Sequence, residues 1–385
     1  MNRAAIRVMA GFALAAAFFF TIGFAPAAIA ARNWAVPGDA ATIQEAIQSA
    51  ASGDTIRVAP GTYAGPVDLG SKQLVILSTF EGGAIIDGGG SNEGFVIGGG
   101  QTAVTVISGF QITNATVGIH VTGASPNLIA CTVSDCSAQG ILCVSAPATI
   151  LNCVSRSNQL AGIALHAGSS SNVTGCTFES NLGGGMDLAS SDPWLTDCVV
   201  RGNQSTTAGA GIRAEACWLV IWTTAITGNR AVGASGGGIY ATGSTLMVTT
   251  DTISRNVADA GGGLDVAGSG SASLQSVIVW GNCASGSGNE VRVASGASCT
   301  MQYCEVNTSG ISGIVTFGDC MTYDDPLFCD MRPCEDAPTT AGDFHTAEGS
   351  PAHGTPCYNI GVYDTGCLET PVVPKTWGAI KQMFR

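Results

Sequence analysis

One short pattern recurs through the middle of the chain. A small residue precedes an aliphatic one at Gly118, Gly140, Gly162, Gly185, Gly211, Gly238 and Gly263, and Glu290 takes the eighth place, at steps of 22 to 27 residues. The next position is apolar every time: Ile119, Ile141, Ile163, Met186, Ile212, Ile239, Leu264, Val291. Two places further on it is apolar again, from Val121 and Cys143 to Val266 and Val293. Alternation of period two marks a strand with one buried face. A second column follows 13 or 14 residues after the first: Cys131, Cys153, Cys176, Cys198, Thr224, Asp251, Val277, Cys304. Val133, Phe178, Val200, Ile226, Ile253 and Val279 lie two residues beyond it.

Each repeat therefore holds two or three short strands joined by corners. Equivalent strands stack about 4.8 Å apart in a parallel coil. Crossovers between parallel strands are right-handed, so the expected fold is a right-handed parallel β-helix, an all-β solenoid on the order of 50 Å long. Five residues after the second column stands an asparagine in most repeats: Asn158, Asn181, Asn203, Asn229, Asn256 and Asn282. Cys136 interrupts this series, and Asn114 is taken as its counterpart one repeat earlier. Asn tolerates left-handed turns, and stacked amides bond along an axis, which predicts an Asn ladder at one corner.

Both ends of such a stack need covering. Thr42-Ile43-Gln44-Glu45 is a capping box, and Ile43, Ala46, Ile47 and Ala50 make one apolar stripe, so a helix over 42–52, ended by Gly53, should cap the first rung. Residues 1–30 read as a signal peptide, with Arg3 and Arg7 before an apolar run and Ala28-Ile29-Ala30 as the cleavage site. The coil is expected over 31–315, a Cys-rich closing segment over 316–368 and a basic tail over 369–385. Export permits disulfides. They are expected among Cys320, Cys329, Cys334, Cys357 and Cys367, whereas Cys131, Cys153, Cys176 and Cys198 should pack as buried free thiols.

The residues Thr42-Ile43-Gln44-Glu45-Ala46-Ile47 followed by Gly53-Asp54-Thr55-Ile56, Ile85-Ile86-Asp87-Gly88 and Gly109-Phe110-Gln111-Ile112, with Asp325-Pro326-Leu327-Phe328 and Ser350-Pro351-Ala352 near the end, resemble the pectin-lyase-like right-handed β-helix proteins of bacterial secreted type. The resemblance spans residues 34–367 and implies the fold. It leaves the activity open, because that superfamily includes lyases, hydrolases, adhesins and surface proteins.

The chemistry is sparse. The chain has a net charge of −13 and only 11% charged residues, which disfavours nucleic acid as a partner, since phosphate binding needs clustered cations. No lysine lies between Lys72 and Lys375, so a lysine base on a middle rung is excluded. The register gives an outward stripe carrying Asp187, Arg213, Glu215, Tyr240, Asp265 and Arg292 on successive rungs. This stripe is the candidate contact for a sugar chain, or for calcium through its acidic oxygens. The turns that precede Gly211, Gly238, Gly263 and Glu290 are longer than the earlier ones and should stack as a wall beside it. No segment after residue 30 is long and apolar enough for a transmembrane helix, while the tail, with Trp377, Ile380 and Phe384, could attach to a cell surface. The expectation is a secreted or cell-surface protein that binds polysaccharide or a surface glycan, or adheres, without catalysis. The alternative is a polysaccharide lyase or glycoside hydrolase.

Overall fold

The computed structural model describes residues 31–353, 360–363 and 365–367. The expected signal peptide and the basic tail lie outside these residues. Among the described residues no helix is long and apolar enough to cross a membrane.

Three long parallel sheets wind around one core, with 13, 11 and 11 strands. We call them sheets A, C and B respectively. Sheet C holds the first column of the repeat, in strands such as Ile119–Thr122, Ile141–Val144, Ile163–His166, Met186–Ala189 and Ile212–Glu215. Ile119 pairs with Ile141, Ile141 with Ile163, and Ile163 with Met186, so the columns superpose rung over rung. Sheet B follows the second column, in Thr132–Ser134, Val154–Arg156, Thr177–Glu179 and their successors. Sheet A, in strands such as Asn172–Thr174, Trp194–Thr196 and Trp218–Trp222, is the third face. Its 13 strands span roughly 55–60 Å along the axis at this strand spacing. The fold is a right-handed parallel β-helix, as the repeat implied.

The core is a continuous column of Ile, Leu, Val, Phe and Cys from Val36 to Val306. Cys131, Cys153, Cys176 and Cys198 are buried free thiols within it. The column tolerates Cys, Thr and Asp for one reason: each side chain can accept a backbone N–H from the rung before. Cys153 donates its N–H to Cys176 Sγ, Cys198 to Thr224 Oγ1, and Thr224 to Asp251 Oδ1.

The Asn ladder is present and fully bonded. The Oδ1 atoms of Asn181, Asn203, Asn229, Asn256 and Asn282 each accept the backbone N–H and the side-chain amide of the Asn one rung before, at 2.9–3.1 Å. The second amide hydrogen of each Asn from Asn181 on goes to a strand carbonyl, as from Asn229 to Val200 O at 2.9 Å. Cys136 begins the ladder by donating its N–H to Asn158 Oδ1. Glu290 ends it: where the earlier repeats have glycine, its carboxylate reaches back to accept from the Asn282 amide and from the N–H groups of Gly281 and Asn282.

Two details of the expected corner are corrected. The left-handed residue is the one before the ladder Asn, namely Ser157, Ser180, Gly202, Gly228, Arg255 and Gly281, rather than the Asn itself. Asn114 has that left-handed geometry (φ 52°) and precedes Ala115, so it matches Asp135 and not Cys136. The glycine column is small for want of space rather than for conformation. A Cβ on Gly211 would sit 2.3 Å from Gly238 O.

The capping helix runs Ile43–Ser49, with the reciprocal Thr42–Glu45 box intact and Ile43, Ala46 and Ile47 buried on the first rung. It is shorter than expected. Ala50 is extended rather than helical, and Lys72 Nζ donates to the carbonyls of Ile47, Gln48 and Ala50 at 2.6–2.8 Å. Gly53 instead makes the following turn at φ 97°.

The closing segment does more than cover the last rung. It doubles back over the outer face of sheet B. Ala352 and Ile360 pack on Ile278, beside Trp280 and Phe328. Arg230 donates to Ala337 O at 2.9 Å, and Thr339 donates its N–H to Gly228 O. Cys283–Cys334 ties it to the coil and Cys329–Cys367 ties it to itself. Cys320 is disulfide-bonded too.

Candidate functional site

Sheet C brings the predicted stripe together. Asp187 pairs with Arg213, Arg213 with Tyr240, Tyr240 with Asp265, and Asp265 with Arg292. Glu215 lies beside Arg213 on the same strand, two residues along. The charges are spent on one another. Arg213 contacts Glu215 at 2.6 Å and Asp187 at 3.7 Å, and His166 reaches Asp187 at 3.2 Å. Arg292 grips both oxygens of Asp265 at 3.0 and 2.8 Å. Burial raises the Asp265 carboxyl above the ordinary carboxylate range, and Arg292 opposes that rise. Such opposed pairs on neighbouring strands give sheets modest stability. Among the described residues, no group of three or more His, Cys, Asp and Glu side chains is placed to hold a metal ion.

The longer turns form the expected wall. Gln204–Ser205, Arg230–Ala231, Val257–Ala260 and Cys283–Ser287 make a fourth parallel sheet beside the stripe. The wall leans on the stripe closely enough to demand glycine. Gly209, Gly236, Gly261 and Gly288 have positive φ, and a Cβ on any of them would lie 2.6–2.9 Å from backbone or Cβ atoms of Arg213, Tyr240, Asp265 or Arg292. Asp265 is fully buried here. The wall thus covers part of the stripe. Asp187 lines a cleft of about 310 Å³, with Gln139, Gln159, Leu160 and Thr207 among its walls.

The exposed chemistry lies on sheet A, which the column reading did not single out. Trp194, Trp218 and Trp222 are 60%, 56% and 54% exposed, and Met247 beside them is 45% exposed. Their side chains point outward because Leu195, Leu219 and Ile221 occupy the inward positions of the same strands. The register pairs Trp194 with Val220, and Trp218 and Trp222 flank Val220 two residues to either side. Trp218 and Trp222 are four residue steps apart along the strand, about 13 Å, and Trp194 sits between them one rung away. Asp192, Trp194, Trp218, Val220 and Met247 enclose a shallow cleft of about 260 Å³. Asp192 is held at its rim, where Oδ1 accepts the Trp218 N–H at 2.8 Å. Three half-exposed indoles in one patch are far from the usual scatter of single surface apolar residues. The signal in the sequence was Trp218-Leu219-Val220-Ile221-Trp222, where period two is hidden because both faces are apolar.

A third feature lies where the closing segment crosses sheet B. Arg201, Asp343, Phe344, His345 and Tyr363 are among the residues lining a cleft of about 200 Å³. His345 Nδ1 and Asp343 Oδ1 are 2.6 Å apart, and the His345 and Tyr363 rings lie 4.8 Å centroid to centroid. Arg201 is paired with Glu179 at 2.8 Å. Burial raises the Tyr363 hydroxyl pKa, nearby Arg201 lowers it, and Asp343 raises it further.

A family model described as the right handed beta helix region matches residues 93–253. No individual curated sequence matches the chain. Among solved structures, the chain is similar to the pectate lyase Pel9A (13% identity, covering 88% of this chain and 98% of that one, TM-score 0.49). It is also similar to an alginate lyase from Paenibacillus sp. strain FPU-7 (12% identity, covering 76% and 99%, TM-score 0.40). A third is a tailspike protein of an Acinetobacter baumannii bacteriophage, a capsular polysaccharide depolymerase (12% identity, covering 71% and 58%, TM-score 0.41). At such identities the likeness is one of fold. The stacked topology and the matched repeat region together make the chain a right-handed parallel β-helix protein.

Proposed function

We propose that this protein is a secreted or cell-surface rod that binds polysaccharide without cleaving it. The observation that carries this reading is the cluster of Trp194, Trp218 and Trp222 on the outer face of sheet A. Indole faces stack on the C–H faces of sugar rings, and the flat, rigid strand surface fixes the rings in advance, which lowers the ordering cost of binding. Thr196, Thr245 and Thr249 on the same face supply hydroxyls beside the rings. The sheet C stripe is the lesser candidate contact, since its charges already have partners. Disulfides in the closing segment suit an oxidising compartment.

The test is a polysaccharide array probed with the wild type and with a Trp194→Ala/Trp218→Ala/Trp222→Ala variant. The reading expects at least one polysaccharide class to bind the wild type and not the variant, with unchanged thermal unfolding. Equal binding by both proteins would refute it.

A second reading, polysaccharide cleavage, has one observation in its favour: the cleft holding His345, Asp343, Tyr363 and Arg201. A His held by a carboxylate beside a phenol is a plausible acid–base set. Release of oligosaccharide by the wild type and not by His345→Ala would favour it.

A further inference from the structure

The outer face of sheet A has a property beyond its tryptophans: across nine successive strands it carries no charge. The outward residues are Asn127 and Ile129, Thr149 and Leu151, Asn172 and Thr174, then Trp194 and Thr196. They continue with Trp218, Val220 and Trp222, with Thr245, Met247 and Thr249, and with Ser271, Ser273 and Gln275. Ser298, Thr300 and Gln302, and Thr316 on the last strand, complete the face. The exposed ionisable residues at its corners next to the indoles are both acidic. Asp192 lies at the rim of the Trp194–Trp218 cleft, and Asp197 begins the next corner. The whole chain has a net charge of −13.

From this we infer that the platform takes an uncharged polysaccharide, and that it discriminates against polyuronates and other acidic glycans. The inference rests on the glycan-binding reading and narrows it. An acidic sugar on this face would find no guanidinium or ammonium to pair with. It would bring its carboxylates within a Debye length of Asp192 and Asp197, and so meet repulsion rather than attraction. A neutral sugar loses nothing by the absence of cations. It finds what neutral sugars use: indole faces for stacking, Asp192 as an acceptor for hydroxyls, and Thr, Ser, Asn and Gln side chains in rows about 4.8 Å apart along the axis. Outside these nine strands sheet A carries one outward cation on its strands, Arg57, six rungs from Trp194, and the coil's cross-strand ion pairs lie on sheets B and C.

The experiment is a titration of the full chain with neutral hexasaccharides (xylohexaose, cellohexaose, laminarihexaose) and with polygalacturonate and alginate, each at about 20 mM and about 500 mM NaCl. A neutral ligand should bind with an affinity that changes less than about twofold with salt. Trp218→Ala should weaken it about tenfold or more, and Trp218→Tyr, which keeps a ring, should retain most of it. Acidic polymers should bind more weakly, and more tightly at high salt than at low. Tighter binding of a polyuronate that depends on Trp218 and falls with salt would overturn the inference while leaving the glycan-binding reading standing. Binding of neither class would overturn both. So would concentration-dependent dimerisation abolished by Trp218→Ala, which would assign the face to a second copy of the chain.

Discussion

Replacing Asn229 by alanine tests how the coil is held at its ladder corner. Asn229 Oδ1 accepts the N–H and the side-chain amide of Asn203, both at 2.9 Å, and its own amide donates to Val200 O at 2.9 Å. The residue is fully buried, so water cannot replace it. Asn229→Ala therefore strands two donors and one acceptor. Each orphaned buried group costs about 1–3 kcal/mol, so three of them put the loss at about 3–9 kcal/mol. That is a large share of the roughly 5–15 kcal/mol that a folded domain typically has. The assay is urea unfolding followed by circular dichroism, with hydrogen exchange read rung by rung, since repeat arrays need not unfold in one step. Exchange should accelerate first at Asn203 and its neighbouring strands. The control is Asn172→Ala on the exposed face of sheet A, which should change stability by less than about 0.5 kcal/mol. A loss below about 1 kcal/mol for Asn229→Ala would show that the ladder is ornament rather than support.

Three further outcomes follow from the same geometry. Glu305 is fully buried between sheet B and the closing segment, has no hydrogen-bond partner for either oxygen among the described residues, and faces Asp325 and Asp324, so burial first and these charges second raise its pKa from 4.5 to about 8. Between those values the unfolded chain releases the proton and the folded chain keeps it, so Glu305 costs stability progressively as pH rises through this window. Glu305→Gln should be more stable than wild type by about 3 kcal/mol at pH ~7 and equal to it near pH ~4; identical pH profiles in urea melts would contradict this. Gly211→Ala, whose Cβ would meet Gly238 O at 2.3 Å, should lower stability by about 1–3 kcal/mol or more through overpacking, and a thermal midpoint unchanged from wild type would count against the tight stacking described. Cys283→Ser/Cys334→Ser opens a loop closed across 51 residues and should cost up to about 4 kcal/mol, with early proteolytic cuts in the closing segment; uncut protein after prolonged digestion would argue that packing alone holds that segment.

Two of the three sheets were legible in the sequence, and the reason is physical. Sheets B and C flank a turn where fixed residue types are forced. Asn stands just after sheet B because it bonds both along the axis and to a strand, and glycine stands just before sheet C because the next rung's carbonyl leaves no room for Cβ. Sheet A follows corners held by varied residues, Ala148, Ser171, Pro193 and Cys217, so no letter repeats. Its tryptophans were visible as residues but not as a face. The stripe from Asp187 to Arg292 was legible as a register, because alternation alone assigns sides. That its charges would pair with each other and that the wall would bury Asp265 depended on side-chain reach, which spacing does not encode. The return of the closing segment along sheet B was hidden for a similar reason. Contacts such as Arg230 to Ala337 O join residues 107 apart, with no local pattern at either end.

The location of the ligand is the point on which the functional account stands or falls, and oxidative footprinting read by mass spectrometry measures it directly. With a saturating neutral polysaccharide bound, Trp194, Trp218, Trp222 and Met247 should be protected from oxidation, while Tyr240 on sheet C and His345 in the closing segment should react as in the free protein. Saturation of binding with those four residues still oxidised at the free rate, or with protection centred on Tyr240 or His345, would contradict the account.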